Sequence, residues 1–314
     1  MGLMTMYHPY FRGKQFELIA IRETAEIMAK ARITPIIEPV RETLNGLDKA
    51  LKTICDVNGK AIVIVNPSYG DHSANGYNIS QLLKDSFSDR DNISAGILLR
   101  EDMDEGLIIK LLFEHKSHNP CFIHSGYAEP YSLSEKSKGL VSKHVFIENY
   151  CGKIYRKYFS DAERILLRDG FKKKKNADYP PLEIFSDLHI TYPEEGMDGF
   201  GDFLIVGDEY SEGGGPAYAV AIHLTFLDKN KENIMYINHF ISTTNDTPTD
   251  PAGKFGQALT KLINKLNHSQ TQFFESSAII EFRVLHANGH FPGLGTVKKL
   301  SMKHHIETLA NFMG

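Results

Sequence analysis

The chain has 314 residues, 42% of them hydrophobic and 24% charged, and its 35 Lys and Arg against 39 Asp and Glu give a net charge of -4. This composition argues against a disordered chain and against a protein that grips nucleic acid along a uniformly basic surface. The three cysteines are odd in number, far apart and without metal-binding spacing, which argues against a disulfide framework or a zinc site.

The first residues lack the apolar segment of a signal peptide, and no run of about 18 apolar residues occurs in the chain. We therefore expect a cytoplasmic protein that does not span a membrane.

Short apolar runs bounded by turn residues alternate with helical patterns, which is typical of βαβ units. The predicted strands are Met4–Phe11, Ile33–Val40, Ala61–Asn66, Ala95–Arg100, Cys121–His124, His144–Asn149 and Arg164–Asp169. The helices predicted between them are Phe16–Ala31, Thr43–Val57, Ile79–Ser86, Asp104–His115 and Ser134–Ser142.

These strands lack a plain alternation of apolar and polar residues, as expected for parallel strands that helices cover on both faces. An open doubly wound sheet would satisfy the same pattern. An eighth run, Asp202–Val206, gives the number of strands that closes a barrel. The sequence therefore predicts an α/β protein with a (β/α)8 TIM-like barrel.

Two segments depart from the alternation of strands and helices. Lys172–Lys175 is a like-charge run that we interpret as a solvated loop. After Gly213 to Gly215, interpreted as a flexible turn, two strand-like segments predict a β-hairpin insertion over residues 213–243. Its arms are Ala217–Leu227 and Ile234–Ser242, and helices Ala252–Leu266 and Val297–Phe312 follow. We expect one barrel-like domain over residues 1–314.

Function in parallel α/β proteins lies at the carboxyl ends of the strands, where each predicted strand here ends in polar residues. Cations and an amide at these ends suit a phosphate or carboxylate ligand, because arginine offers a two-pronged donor. The residues predicted to bind the ligand are Arg12, Lys14, Asn66, Arg100 and Arg168.

Acidic residues at the same ends could hold Mg²⁺ or act as acid and base, and histidine is the natural proton carrier near neutral pH. The candidate catalytic residues are Glu38, His124, Glu148 and Asp187. A phosphoester hydrolase or a phosphoryl-binding protein is the class that this set favours. The competing interpretation is that the charges at the rim pair with one another and serve the fold alone.

Two features near the carboxyl terminus bear on function more weakly. The segment GHFPGLGTVKKL could place Lys298 and Lys299 at the start of a helix, as part of an anion site. His304 and His305 are adjacent, so they cannot share one helix face, and we interpret them as surface or packing histidines.

The opening MYHPYFRGKQFELIAIRE, Met6 to Glu23, resembles the start of an uncharacterised bacterial family found beside a nuclease in mobile or defence-associated loci. His239–Leu259 and His286–Glu307 resemble that family too, so the similarity extends over nearly the whole chain. More distantly the chain is similar to the phage beta-protein family. The resemblance implies a barrel-like fold and a role in conflict between bacteria and phages, without an active site to carry over.

Two functions remain open from the sequence. The first is binding or hydrolysis of a phosphorylated, nucleotide-like ligand at the barrel mouth. The second is a non-catalytic sensor or assembly partner of a companion nuclease encoded nearby.

Overall fold

A computed structural model describes residues 6–213, 215 and 218–314. The chain divides into two compact units, each described here by itself. The first comprises Met1–Asp169 with Thr191–Phe203, and the second comprises Gly170–Ile190 with Leu204–Gly314.

The first unit is a closed barrel of eight strands. In barrel order the strands are β1 (Tyr7–Phe11), β2 (Ile36–Ile37), β3 (Ala61–Ile64), β4 (Ile93–Arg100), β5 (Cys121–Ser125), β6 (Lys143–Ile147), β7 (Glu163–Leu167) and β9 (Gly199–Asp202). Six helices connect the first seven strands: α1 (Gln15–Lys30), α2 (Asn45–Asp56), α3 (Tyr77–Phe87), α4 (Glu105–Glu114), α5 (Pro130–Ser137) and α6 (Lys153–Lys157).

Every neighbouring pair of barrel strands is parallel, and β9 closes the barrel against β1 and β7. The interior is a close-packed apolar core contributed by alternate residues of the strands. Its members are Tyr10, Ile36, Ile62, Ile64, Leu98, Cys121, Ile123, Val145, Ile147, Ile165, Leu167 and Phe203. The (β/α)8 prediction is confirmed.

The eighth barrel strand was predicted about three residues too late along the chain. The apolar run after Asp202 suggested a strand, but Leu204 has φ of 50° and cannot continue one. The strand lies instead over Gly199–Asp202, where glycine is required for close approach. A Cβ on Gly201 would lie 2.2 Å from the carbonyl oxygen of His8 on β1.

The second unit contains an antiparallel sheet in the order β10 (Ala221–Asp228), β11 (Ile234–Ile241), β8 (Leu182–Ser186). Helix α7 (Leu188–Thr191) follows β8, and α8 (Pro251–Leu266), α9 (Ser277–Ala287) and α10 (Leu294–Met313) follow the sheet. One sheet face packs on these helices through apolar residues such as Leu224 of β10, Leu262 of α8 and Leu300 of α10.

The hairpin predicted after the eighth barrel strand is confirmed as β10 and β11. The sequence did not predict β8, which adds a third strand from the segment after the four lysines, nor α9. The single domain over residues 1–314 stays a prediction. Met4, Thr5, Gly214, Pro216 and Ala217, which fall within predicted elements, lie outside the described residues. In the described part of the chain no helix is long and apolar enough to cross a membrane.

Candidate functional site

Polar side chains at the carboxyl ends of the barrel strands pair with their neighbours around the rim. After β1 and β2, the guanidinium Nη1 of Arg12 forms an ion pair with Oε2 of Glu38, and both side chains are buried. The hydroxyl of Tyr10 donates to the same carboxylate at 2.8 Å, and the backbone N–H of Ser68 donates to its other oxygen at 2.7 Å.

Aromatic rings pack around the guanidinium of Arg12, so that this residue has a structural role in addition to its ion pair. Its guanidinium lies 4.9 Å from the ring centroids of both Tyr10 and Tyr69 and 5.8 Å from that of Phe203. Both oxygens of Glu38 already accept hydrogen bonds, so this carboxylate is engaged in holding the barrel mouth together.

A second neighbouring pair closes another part of the rim. The guanidinium of Arg168, after β7, grips Glu148, after β6, with Nε at 2.6 Å and Nη2 at 2.9 Å from the two carboxylate oxygens. This bidentate geometry is the strong form of an arginine–carboxylate ion pair. The competing interpretation from the sequence, in which rim charges satisfy one another, therefore describes both Glu38 and Glu148.

The rim residues of β3 and β4 differ from these two pairs. The side-chain amide of Asn66 donates to the carbonyl of Leu98 and accepts from its N–H, both at 2.8 Å, so it links the two strand ends. Arg100 is held more weakly, by a 3.4 Å contact with the carbonyl of Asn66 and a 3.8 Å approach to Asp102, whose side chain is 85% exposed.

Arg100 faces a cleft of about 630 Å³ between the loop after β3 and helices α3 and α4. Lys84 and Lys110 also line this cleft, and Glu114 forms an ion pair with Lys84 at 2.8 Å. Tyr77, at the start of α3, lines it with a ring that is 62% exposed. A volume of this size falls within the range of small-molecule sites.

Two further predicted residues have local roles in the structure. Lys14 is the N-cap residue of α1, after the turn at Gly13, and its backbone N–H donates to the carboxylate of Glu17 at 3.3 Å. Asp187 lies in the second unit, between β8 and α7, where its carbonyl accepts from the N–H of Ile190 at 3.0 Å.

His124, the predicted proton carrier, is fully buried on the outer face of the barrel. Its neighbours in β5, Cys121 and Ile123, belong to the interior core, so alternation directs His124 away from the barrel mouth. Its Nε2 lies 3.0 Å from Nδ1 of His144, and its Nδ1 lies 3.0 Å from the hydroxyl of Tyr155.

Asp161 lies next along this chain of Asp161, His144, His124 and Tyr155: its carboxylate is 3.5 Å from Nε2 of His144, a close approach without hydrogen-bond geometry. Burial lowers the pKa of His124 well below its ordinary value. Burial also lowers the pKa of His144 to about 4, against the opposing effect of Asp161. The structure therefore does not bring His124 to the rim residues.

A second carboxylate–histidine–histidine chain, which the sequence did not predict, lies in the second unit. Glu183 on β8, His239 on β11 and His223 on β10 follow one another across the sheet. Oε1 of Glu183 is 3.1 Å from Nε2 of His239, and the two Nδ1 atoms of His239 and His223 are 2.6 Å apart. A histidine near the middle of each hairpin arm was the signal available in the sequence.

Within the described residues, no group of three or more His, Cys, Asp and Glu side chains is arranged to hold a metal ion. Glu38 and Glu148, suggested as Mg²⁺ ligands, each accept an arginine instead. The expectation of Mg²⁺ therefore gains no support from these two carboxylates.

No family model matches the sequence, and no curated protein matches it. Three chains of solved structures match. One is the enoyl reductase domain of MlnA from the macrolactin biosynthesis cluster of Bacillus amyloliquefaciens, which is 9% identical with a TM-score of 0.39. The alignment covers 99% of this chain and 82% of that one. A similarity at this level carries no argument about function.

Proposed function

We propose that the barrel unit binds an anionic, nucleotide-like ligand in the cleft beside Arg100, within the bacterial defence role that the sequence resemblance implies. Binding is proposed in place of hydrolysis at the rim, because Glu38 and Glu148 each hold an arginine and are poorly placed to act as acid and base.

The weak engagement of the Arg100 guanidinium by other protein groups is the observation that carries this proposal. Arg12 and Arg168 hold carboxylates. The side chain of Arg100 is instead a third exposed and lines the cleft, and its guanidinium makes only long contacts. An arginine with N–H donors that are not strongly engaged can bind a phosphate through bidentate hydrogen bonds.

The other walls of the cleft suit the remainder of such a ligand. The exposed ring of Tyr77 offers a flat apolar surface on which a base can stack. Lys110 is solvent-exposed and adds a second positive charge to the same cleft. Phosphate and base recognition would therefore come from groups that the fold does not use elsewhere.

A thermal-shift series with ATP, GTP, AMP, cyclic nucleotides, ribose 5-phosphate and inorganic phosphate tests this proposal. A ligand present at one hundred times its Kd stabilises the folded state by about 2.7 kcal/mol and raises Tm accordingly. Arg100→Ala removes the expected shift. Arg22→Ala, which removes the same charge from a solvent-exposed position on α1, keeps the shift.

Two results would contradict the proposal. One is the absence of a shift with every nucleotide and phosphate probe. The other is a shift that survives in Arg100→Ala but disappears in Arg168→Ala, which would move the ligand to the Glu148–Arg168 part of the rim.

A second function, as an assembly partner of a companion nuclease, is favoured by an exposed apolar surface on the barrel unit. Ile154 of α6 is 73% exposed, and Tyr158, one helical turn later, lies 5.7 Å from the ring of the 63%-exposed Tyr131. Exposed aromatic clusters are typical of protein interfaces. Co-expression with a candidate companion nuclease tests this function: Ile154→Asp should abolish co-purification, whereas Arg100→Ala should not.

A further inference from the structure

The hydrogen-bonded chain of Glu183, His239 and His223 differs from an ordinary buried histidine cluster in its terminal atom, Nε2 of His223. Nδ1 of His223 is engaged with His239, but its Nε2 makes no hydrogen bond within the described part of the chain. His223 is half-buried, and its Nε2 is in part exposed to solvent. This nitrogen therefore remains accessible.

The order of the groups fixes which nitrogen carries each proton. A carboxylate only accepts, so Nε2–H of His239 donates to Glu183, and Nδ1 of the neutral His239 must then accept. The proton between the two rings consequently belongs to Nδ1 of His223. Nε2 of His223 is left with a free lone pair.

The groups around the two rings hold this arrangement in place. Tyr179 lies with its ring centroid 4.5 Å from His239 and 4.8 Å from His223, and Phe171 lies 5.2 Å from His223. At the far end, Nζ of Lys174 forms an ion pair with Glu183 at 3.4 Å. Rigid aromatic walls and a paired carboxylate leave little freedom for either imidazole to turn.

The charges facing His223 keep its ring neutral. Burial is the main cause that lowers the pKa of His223 to about 3, followed by His239 and by the positive charge of Lys298 on α10. Lys298 is solvent-exposed. A neutral imidazole with an open lone pair, within electrostatic reach of the Lys298 ammonium, is an acceptor site that also attracts negative charge.

We propose that Glu183, His239 and His223 form a proton relay, and that Nε2 of His223 takes a proton from water or from a hydroxyl group of an anionic ligand beside Lys298. This site lies wholly within the second unit and is independent of the cleft at Arg100.

The relay moves one proton along the chain without forming a charged ring. As Nε2 of His223 gains the proton of the hydroxyl, its Nδ1 proton passes to Nδ1 of His239, and the Nε2 proton of His239 passes to Glu183. The hydroxyl becomes an alkoxide or hydroxide, the carboxylate becomes a carboxylic acid, and both imidazoles end as the opposite neutral tautomers. Atoms and charge balance, and no co-reactant is needed.

Diethyl pyrocarbonate tests the accessibility and basicity of this nitrogen directly, since it acylates unprotonated imidazole. The nitrogen attacks a carbonyl carbon, the bond to the central oxygen breaks, and ethyl carbonate leaves. Rates for each histidine of the full-length protein come from peptide mass spectrometry, with N-acetylhistidine as an internal standard.

His223 should be acylated while His124 is not. Between pH 7.5 and 5.5 the standard should slow about tenfold because it becomes protonated, whereas His223 should slow less than about twofold, its pKa being about 3. An unmodified His223, or one that slows as much as the standard, overturns the proposal.

Inorganic phosphate serves as the anionic probe at constant ionic strength. It should slow acylation of His223 about tenfold when present at ten times the Kd that the titration yields. Lys298→Gln should abolish this protection, and Lys265→Gln, at an exposed position on α8, should retain it. Acylation of His223 that phosphate does not slow would overturn the anionic ligand.

Discussion

The two carboxylate–histidine–histidine chains contain the same kinds of group in the same order and differ in how they end. In the barrel unit, Asp161, His144 and His124 end on the hydroxyl of Tyr155, and both histidines are at most 1% exposed. In the second unit, Glu183, His239 and His223 end on a nitrogen without a hydrogen-bond partner in the described chain. Chemical composition alone does not distinguish them.

The last contact therefore decides the role of such a hydrogen-bonded chain. Phe146 and Phe159 lie 4.6 and 4.3 Å from His124, so that no ligand reaches its ring, and Tyr155 takes its remaining nitrogen. A chain closed in this way stabilises the fold. A hydrogen-bonded chain left open retains a ring nitrogen that can accept a proton from a ligand.

The largest expected effect separates the chains by their contribution to stability. His144→Leu should lower the free energy of unfolding by about 3 kcal/mol, because it leaves a buried nitrogen of His124 unpaired and alters a packed site. Equilibrium urea unfolding measures this loss. His239→Leu, the matching position in the open chain, should cost about 1–2 kcal/mol since its partner His223 stays half-exposed. Equal losses would remove the distinction.

The pH dependence of stability gives the next effect. The pKa of His144 is about 4 in the folded protein and near 6.5 when unfolded, so the unfolded state takes up the proton first as pH falls. Neutral His144 therefore contributes about 3 kcal/mol to the free energy of unfolding above pH 6.5, and this contribution is lost as the pH falls from about 6.5 to 4.

Urea unfolding at pH 7, 6, 5 and 4.5 measures this dependence, with His144→Leu as the reference variant. That variant should have a flatter stability profile over the same range. A wild-type profile that runs parallel to that of the variant would show that His144 is not held neutral by burial.

The smallest expected effect concerns the end of the open chain. His223→Gln should change the free energy of unfolding by less than about 1 kcal/mol, because a half-buried side chain with one hydrogen bond contributes little. Thermal unfolding of wild type and variant measures it. A loss comparable to that of His144→Leu would place His223 among the structural histidines.

The sequence contained enough to predict the barrel and much of its rim. Short runs without alternation identified parallel strands, and the residues after them, such as Arg12, Glu38, Glu148 and Arg168, do lie at strand ends. Which rim charge would pair with which depends on strand order in the closed barrel. That order brings Arg12 to Glu38 and Arg168 to Glu148, and it leaves Arg100 weakly held.

The two histidine chains show where prediction from sequence stopped. The direction of His124 follows from a single register position, because a shift by one residue would turn it into the barrel. His223 opposite His239 follows from the hairpin register. Glu183, however, comes from a strand about forty residues earlier that pairs with β11, and no local pattern predicts that partner.

A long-range ¹H–¹⁵N correlation spectrum of the histidine side chains at pH 7 distinguishes the open from the closed histidine chain, since it reports which ring nitrogens are protonated in both chains in one sample. We predict a proton on Nδ1 of His223 with Nε2 unprotonated, and a proton on Nε2 of His124 with Nδ1 accepting from the hydroxyl of Tyr155. A proton on Nε2 of His223 would make that atom a donor, and the open chain could then not accept a proton from a ligand.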